Sequence, residues 1–332
     1  MESWEPSSSN YSNISNGQVF RNKLFKDKTP IETKQLQFFK IYDEYNAVLG
    51  GTNMVDLCWN GTLWHYGDIF DFARERASVK HLDTGICDGA YLSNKKFVCV
   101  GDSGAVQIYE IKFGEMQQLS YACQHDDSIL TVSVFSNKRN IVTGGMDCCL
   151  KVWDVEDLIA TYSYHSAHLD VITSTDVKPN SNSIFVSASL DSESLVWDFR
   201  LQEPASCIFR KNDCFLTAIS WNKKVDHLIA IGTNNGSIAL IDTRQTKTPL
   251  YESVEYDRSI HKLLFNPYSE RKDQLACCSD NETVKVFDIS REMFTVYEDS
   301  SHSDFVRGLT WFQSDLYSCA WDARVIKHVL DK

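Results

Sequence analysis

No stretch of this 332-residue sequence approaches the roughly 18 consecutive apolar residues that a membrane-spanning helix requires. No block or stripe of Lys and Arg appears, and the formal net charge is −12. Nucleic-acid binders owe most of their affinity to basic side chains on phosphate, so that class is disfavoured, as are anionic membranes. Basic partners are favoured instead. The opening residues, MESWEPSSSNYSNISNGQ, lack the basic and then apolar halves of a secretory signal, and a cytoplasmic and nuclear chain is expected. There is no Cys-x-x-Cys among the eleven cysteines. Two adjacent pairs, Cys148-Cys149 and Cys277-Cys278, would point to opposite faces of a strand, a poor start for one metal site. Reduced cysteines packed as small apolar residues are expected.

Catalytic signatures are missing too. No P-loop, dinucleotide fingerprint, zinc-ligand spacing or nucleophile elbow occurs. The Gly101–Ala105 segment, GDSGA, looks like a scrap of a serine hydrolase, and His165-x-x-His168 like half a metal site. Both fall at positions that a repeat already explains, so no enzyme, cofactor or metal is expected. The acid pairs Asp126-Asp127 and Glu298-Asp299 fall near loops and read as solvated charge.

What the sequence does have is a period. Large apolar residues or their substitutes recur at Trp64, Tyr109, Trp153, Trp197, Ile241, Phe287 and His328, in steps of 45, 44, 44, 44, 46 and 41. Six residues before the anchor stands a turn residue: Asp147, Asp191 and Asp322 in three units, Asn235, Asn281 and Ser103 in three others. A short apolar strand precedes that turn and a β-branched strand follows it. A histidine opens three units, as His125, His168 and His302. Short strands punctuated by turns every 8–12 residues predict an all-β fold, and a period near 44 predicts an array of like units.

These residues resemble the WD repeat, in which each unit is one four-stranded propeller blade. The resemblance implies an all-β, seven-bladed WD-repeat propeller over about residues 35–330. It also implies a hydrogen-bonded tetrad of His, Ser or Thr, Asp and Trp inside a blade, a structural rather than catalytic set. Only the fourth unit is expected to hold all four, as His168, Ser189, Asp191 and Trp197. Closing the ring removes an open sheet edge. Gln18–Phe25 is the candidate closing strand, with Gln35–Tyr42 as the inner strand of blade one. Residues 1–17, rich in Ser and Asn, read as a disordered arm, residues 18–34 as closing strand and linker, and 18–332 as the propeller.

Several segments carry specific residues beyond the generic repeat positions: CWNGTLW (58–64), DSGAVQIYE (102–110), HDDSILTVSV (125–134), HSDFVRGLTW (302–311) and AWDARVIKHV (320–329). They resemble the methylosome WD-repeat subunits, the methylosome protein 50 family, from about residue 31 onward. That resemblance implies a noncatalytic adaptor for protein arginine methyltransferase 5. The adaptor would dock on the enzyme's N-terminal TIM barrel in a hetero-octamer of four and four chains. It would help present Arg-rich substrates such as Sm proteins and histone tails.

The family's enzyme-contacting tryptophan falls on Trp59. The residues point the same way: Trp64 is the repeat anchor, so Trp59, next to an Asn60-Gly61 turn signal, is surplus to the blade. Trp59 and Asn60 are therefore candidate partner contacts, with Phe294 in REMFTVY as a second site. An alternative rests on FVSASLDSESLVWDFR (185–200), where Asp191, Trp197, Asp198 and Arg200 resemble a box that binds cullin-ligase adaptors. That reading makes the chain a ubiquitin-ligase substrate receptor.

Overall fold

Each of the seven sequence anchors sits at the same place in a β-sheet, and from that the architecture follows. In the computed structural model, which describes residues 17–20, 35–55, 58–70, 77–201, 206–268 and 273–330, the chain forms seven antiparallel four-stranded sheets. The anchors lie on the third strand of each sheet. Their partners on the second strand are Leu49, Phe97, Ile141, Phe185, Ile229, Leu275 and Leu316 in turn. The sequence period is thus a period of strand register, and all seven anchors are buried.

Blade 1 comprises Gln35–Asp43, Asn46–Val55, Cys58–Tyr66 and Ala77–Leu82, from the inside out. Inner strands follow at Ile86–Tyr91, Ile129–Val134, Ile172–Val177, Leu216–Trp221, Ile260–Phe265 and Val306–Phe312. Consecutive inner strands touch one another, and the first touches the last, so the ring closes around a central channel. Side chains alternate across each sheet. Leu63 therefore packs into blade 2 while its neighbour Trp64 packs into blade 7. Seven apolar clusters result, one at each junction between neighbouring blades. Cys277 and Cys278 illustrate the rule: both are buried, in the clusters on the two sides of blade 6. Every cysteine whose side chain is described is free.

Blade 7 is assembled from both ends of the described chain. Gly17–Phe20 adds as its outer strand, pairing Gly17 with His328 and Phe20 with Val325. Residues 21–25 of the expected Gln18–Phe25 strand lie outside the described residues, as do residues 1–16 of the expected arm.

The tetrad departs from the sequence reading. In blade 4 the shared hydroxyl belongs to Ser187, not Ser189. Trp197 Nε1–H donates to Ser187 Oγ (2.8 Å), His168 Nε2 lies 2.7 Å from the same oxygen, and His168 Nδ1 is 2.8 Å from Asp191. The cause is register. Trp197 pairs with Phe185, so its indole reaches the diagonal neighbour two residues along, whereas Ser189 is four residues away. Ser189 instead donates to the Asp170 carbonyl and accepts from the Asp191 amide. An imidazole with its proton on Nδ1 satisfies the whole chain, Trp to Ser to His and His to Asp.

Nor is blade 4 alone. His125, Thr143, Asp147 and Trp153 form the same set in blade 3, with contacts of 2.8 Å throughout. Blade 7 repeats it with His302, Ser318 and Asp322, and His328 stands where the indole would be, 2.7 Å from Ser318 Oγ. Asp299, read from the sequence as solvated, is in fact buried. It accepts from the Tyr297 hydroxyl at 3.0 Å and lies 3.6 Å from His328.

These carboxylates carry a pH dependence. Burial pushes the Asp322 carboxyl up, but the hydrogen bond and charge of His302, the Ser303 amide and Arg324 outweigh it and hold the pKa at about 2. Asp147 and Asp191 are depressed for the same reasons. A depressed carboxylate stabilises the fold above its unfolded pKa, and the contribution is lost as pH falls through the folded one. Urea unfolding at pH 5 and pH 2.5 should therefore show wild type losing about 2 kcal/mol through Asp322 alone. Asp322→Asn, less stable at pH 5, should lose correspondingly less on acidification.

Candidate interaction face

The turns between second and third strands and the loops leading into inner strands all lie at one end of the ring, here the upper face. Blade 1 differs from the rest there. In the other six blades, pairing between second and third strands stops three residues before the anchor, as in Gly144 with Leu150 or Cys319 with Val325. Blade 1 reaches the same level at Thr52 and Gly61 and continues through Asn53 with Asn60, Met54 with Trp59, and Val55 with Cys58. Three further pairs lift the hairpin about 10 Å above its neighbours.

Trp59 rides on that extension, 44% exposed, beside exposed Met54. Asn60 lies next to it, half-buried. The Asn60-Gly61 turn signal is overturned, because both residues lie within the strand Cys58–Tyr66. Gly61 is needed for close approach rather than for turning. A Cβ there would stand 2.5 Å from Ile86 Cγ1 and 2.6 Å from the Thr84 carbonyl. At the hairpin's base, the Thr52 hydroxyl meets both the amide and the carbonyl of Ile86 at 2.9 Å, fixing the extension to blade 2.

Other apolar side chains share the upper face. Met146 lies in the blade 3 turn, and Leu169, Phe215 and Phe305 in the loops entering blades 4, 5 and 7; all are exposed, Leu169 by 92%. Phe305 is held in place. Its ring meets Trp321 edge to face at 5.5 Å, and Arg307 lies 5.4 Å from the Phe305 centroid and 4.5 Å from that of Trp321. Between these apolar groups runs a ring of carboxylates. Asp83, Asp127, Asp170, Asp213, Asp257 and Asp304 each occupy the loop entering one inner strand, and all are exposed. An apolar surface ringed by acids suits a partner with apolar pockets and a basic rim.

The face opens into the central channel, a cavity of about 620 Å³ whose lining includes Trp59, Met146 and Trp321. Each inner strand carries a β-bulge near its upper end, and the bulged residue of every blade turns into this cavity, Thr217, His261 and Arg307 among them.

Phe294 is elsewhere. It starts the outer strand Phe294–Asp299 of blade 6 and pairs with Asp288, the last residue of the third strand, at the lower end. It is 61% exposed, but at the opposite face from Trp59. The two candidates do not form one patch. Substituting Phe294→Ala should leave binding of an upper-face partner within about twofold, measured by titration calorimetry.

The motifs that looked like chemistry are absorbed by the fold. GDSGA is the blade 2 turn, where Gly104 has φ +67° and a Cβ would meet the His125 carbonyl at 2.6 Å. Both nitrogens of His168 serve the tetrad, while His165 lies 3.9 Å from Cys149 Sγ. Among the described residues no group of three His, Cys, Asp or Glu is placed to hold a metal ion. Arg200 of the cullin-type box donates through Nε and Nη2 to its own Asp198, and Arg244 repeats this on Asp242 in blade 5. A recurrent clamp of this kind is a structural habit. No helix of the described residues is long and apolar enough to cross a membrane.

Comparison with known proteins places these features in context. A family model described as "Nucleolar protein 10-like, N-terminal domain" matches residues 97–328. The methylosome protein WDR77 of Xenopus laevis is 29% identical over 293 residues, covering 85% of this chain and 86% of its own. The Drosophila melanogaster protein valois is 26% identical over 62% of this chain and 58% of its own. The peroxisomal targeting signal 2 receptor of Schizosaccharomyces pombe is 23% identical, over 70% of this chain and 73% of its own.

Proposed function

The chain belongs to the nucleolar protein 10-like β-propeller family, and we propose that it serves there as a noncatalytic adaptor for an arginine methyltransferase of the protein arginine methyltransferase 5 type. The observation that carries this reading is the raised blade 1 hairpin. It places a partly exposed aromatic side chain at the mouth of the channel, in a position that the repeat itself does not need. An exposed tryptophan on a raised hairpin is a typical anchor for a partner's pocket. The likeness to the frog methylosome protein over most of both chains supports the choice of partner. The ring of loop aspartates suits the substrates of such an enzyme, Arg-rich tails such as those of Sm proteins and histones. A hetero-octamer of four enzymes and four propellers, working in cytoplasm and nucleus, follows from the same resemblance.

Methyl transfer to an Arg-rich Sm-tail peptide tests the reading. The chain alone should show no turnover. Added to the methyltransferase at equal concentration, it should raise the enzyme's rate, and an unchanged rate would remove the adaptor role.

A further inference from the structure

Below the mouth of the channel three charged side chains from three blades meet. Lys40 Nζ lies 3.5 Å from Asp88 Oδ1, and Lys262 Nζ lies 3.8 Å from Asp88 Oδ2. The carboxylate is already engaged by backbone, accepting from the Gly89 amide at 2.9 Å and the Val132 amide at 3.4 Å. Two ammonium groups therefore share one carboxylate, and among the described residues neither has a second acidic partner. Both lysines keep about a quarter of their side-chain surface open to the bore, 27% and 28%.

The surroundings supply more donors than acceptors. Arg307 Nη1 donates to His261 Nδ1 at 2.7 Å, which leaves the imidazole proton on Nε2 as a further donor. Burial and the adjoining Arg307 push the His261 pKa well down, so this ring adds no charge. Arg307 Nε and the Thr217 hydroxyl are buried without partners. The remaining carboxylates nearby are Asp280, occupied by Arg307 at 2.8 Å, and Asp102, exposed at the rim and contacted by Cys87. Lys40, Lys262 and Asp88 taken together thus carry one excess positive charge, balanced among the described residues only by Asp102 at the rim, with several unused donors beside them. Two ammonium groups that share one carboxylate away from bulk water are held at a cost that a further opposite charge would relieve.

We propose that the bore is an anion site that takes a carboxylate between Lys40 and Lys262. A cavity of about 620 Å³ admits an acidic side chain or chain terminus on a partner segment entering past Trp59 and Met146. A small oxyanion from solution has the same chemistry. The site does not depend on the methyltransferase reading.

The test is NMR of the full chain labelled with ¹³C-lysine, titrated with acetylated, amidated Gly-Glu-Gly, with its Gln counterpart, and with sodium sulfate. The Glu peptide should shift the Lys40 and Lys262 Cε resonances saturably, and the Gln peptide should not. Lys40→Met and Lys262→Met should each weaken binding at least tenfold. Each variant leaves Asp88 with one lysine, so melting temperatures should stay within a few degrees of wild type, separating loss of the site from loss of the fold. Saturation by sulfate but not by the Glu peptide would support the site and assign its occupant to free ions. No saturable shift with any anion, equal shifts with Glu and Gln peptides, or undiminished binding in both folded lysine variants would overturn it.

Discussion

Trp59→Ala is expected to weaken association with the methyltransferase at least thirtyfold while leaving the fold intact. Truncating a central aromatic anchor costs about 2 kcal/mol or more, and 1.4 kcal/mol is a factor of ten in affinity. The side chain is 44% exposed on a hairpin tied to blade 2 through Thr52, so its removal takes little from the core. Its melting temperature should therefore stay close to wild type. Trp64→Ala is the opposing control. That indole is buried in the cluster between blades 1 and 7, and its loss should cost about 3–5 kcal/mol of stability. Calorimetric titration of the folded Trp59→Ala protein settles the point, because undiminished affinity would remove Trp59 from the interface.

A loss of comparable size, in stability rather than binding, is expected at Ser187. Replacing it by Ala strands both the Trp197 indole N–H and His168 Nε2 in a buried blade. Each stranded buried group costs about 1–3 kcal/mol, so Ser187→Ala should lose about 3 kcal/mol in urea unfolding. Blade 3 performs the same task with Thr143, so Ser187→Thr should retain most of the stability. Ser189→Ala gives up two hydrogen bonds to backbone groups, of Asp170 and Asp191, and should cost about 1 kcal/mol. If Ser189→Ala were the more damaging of the two, the tetrad assignment would be wrong.

The contrast between these serines shows what the sequence could carry. Blade count and anchors were legible, because burying one large residue per blade at a fixed register forces a period of about 44 on the chain. Which serine the indole reaches was not. Ser187 and Ser189 lie on the same face of one strand, and only cross-strand pairing of Trp197 with Phe185 separates them. The second and third tetrads follow the same rule, because Thr143 and Ser318 sit four residues before the turn aspartates, whereas Ser189 sits only two before Asp191.

On the upper face, Trp59 could be read as surplus to the repeat, since Trp64 already filled the anchor slot. The lifted hairpin could not, because Asn60-Gly61 reads locally as a turn and its glycine answers instead to Ile86 of the next blade. Phe294, the second candidate, follows the sixth anchor in the sequence, and strand direction sends it to the other end of the ring from Trp59. Lys40, Asp88 and Lys262 come from blades 1, 2 and 6, and no local pattern announces a cluster whose members meet only when the ring closes.

The central claim is that the upper face of this propeller holds a methyltransferase. Size-exclusion chromatography with light scattering on an equimolar mixture of the chain and the methyltransferase addresses it most directly. The adaptor reading predicts one co-eluting species with the two chains in equal number, and a mass consistent with four of each. Two separate peaks at micromolar concentration, with the propeller running as a monomer, would contradict it.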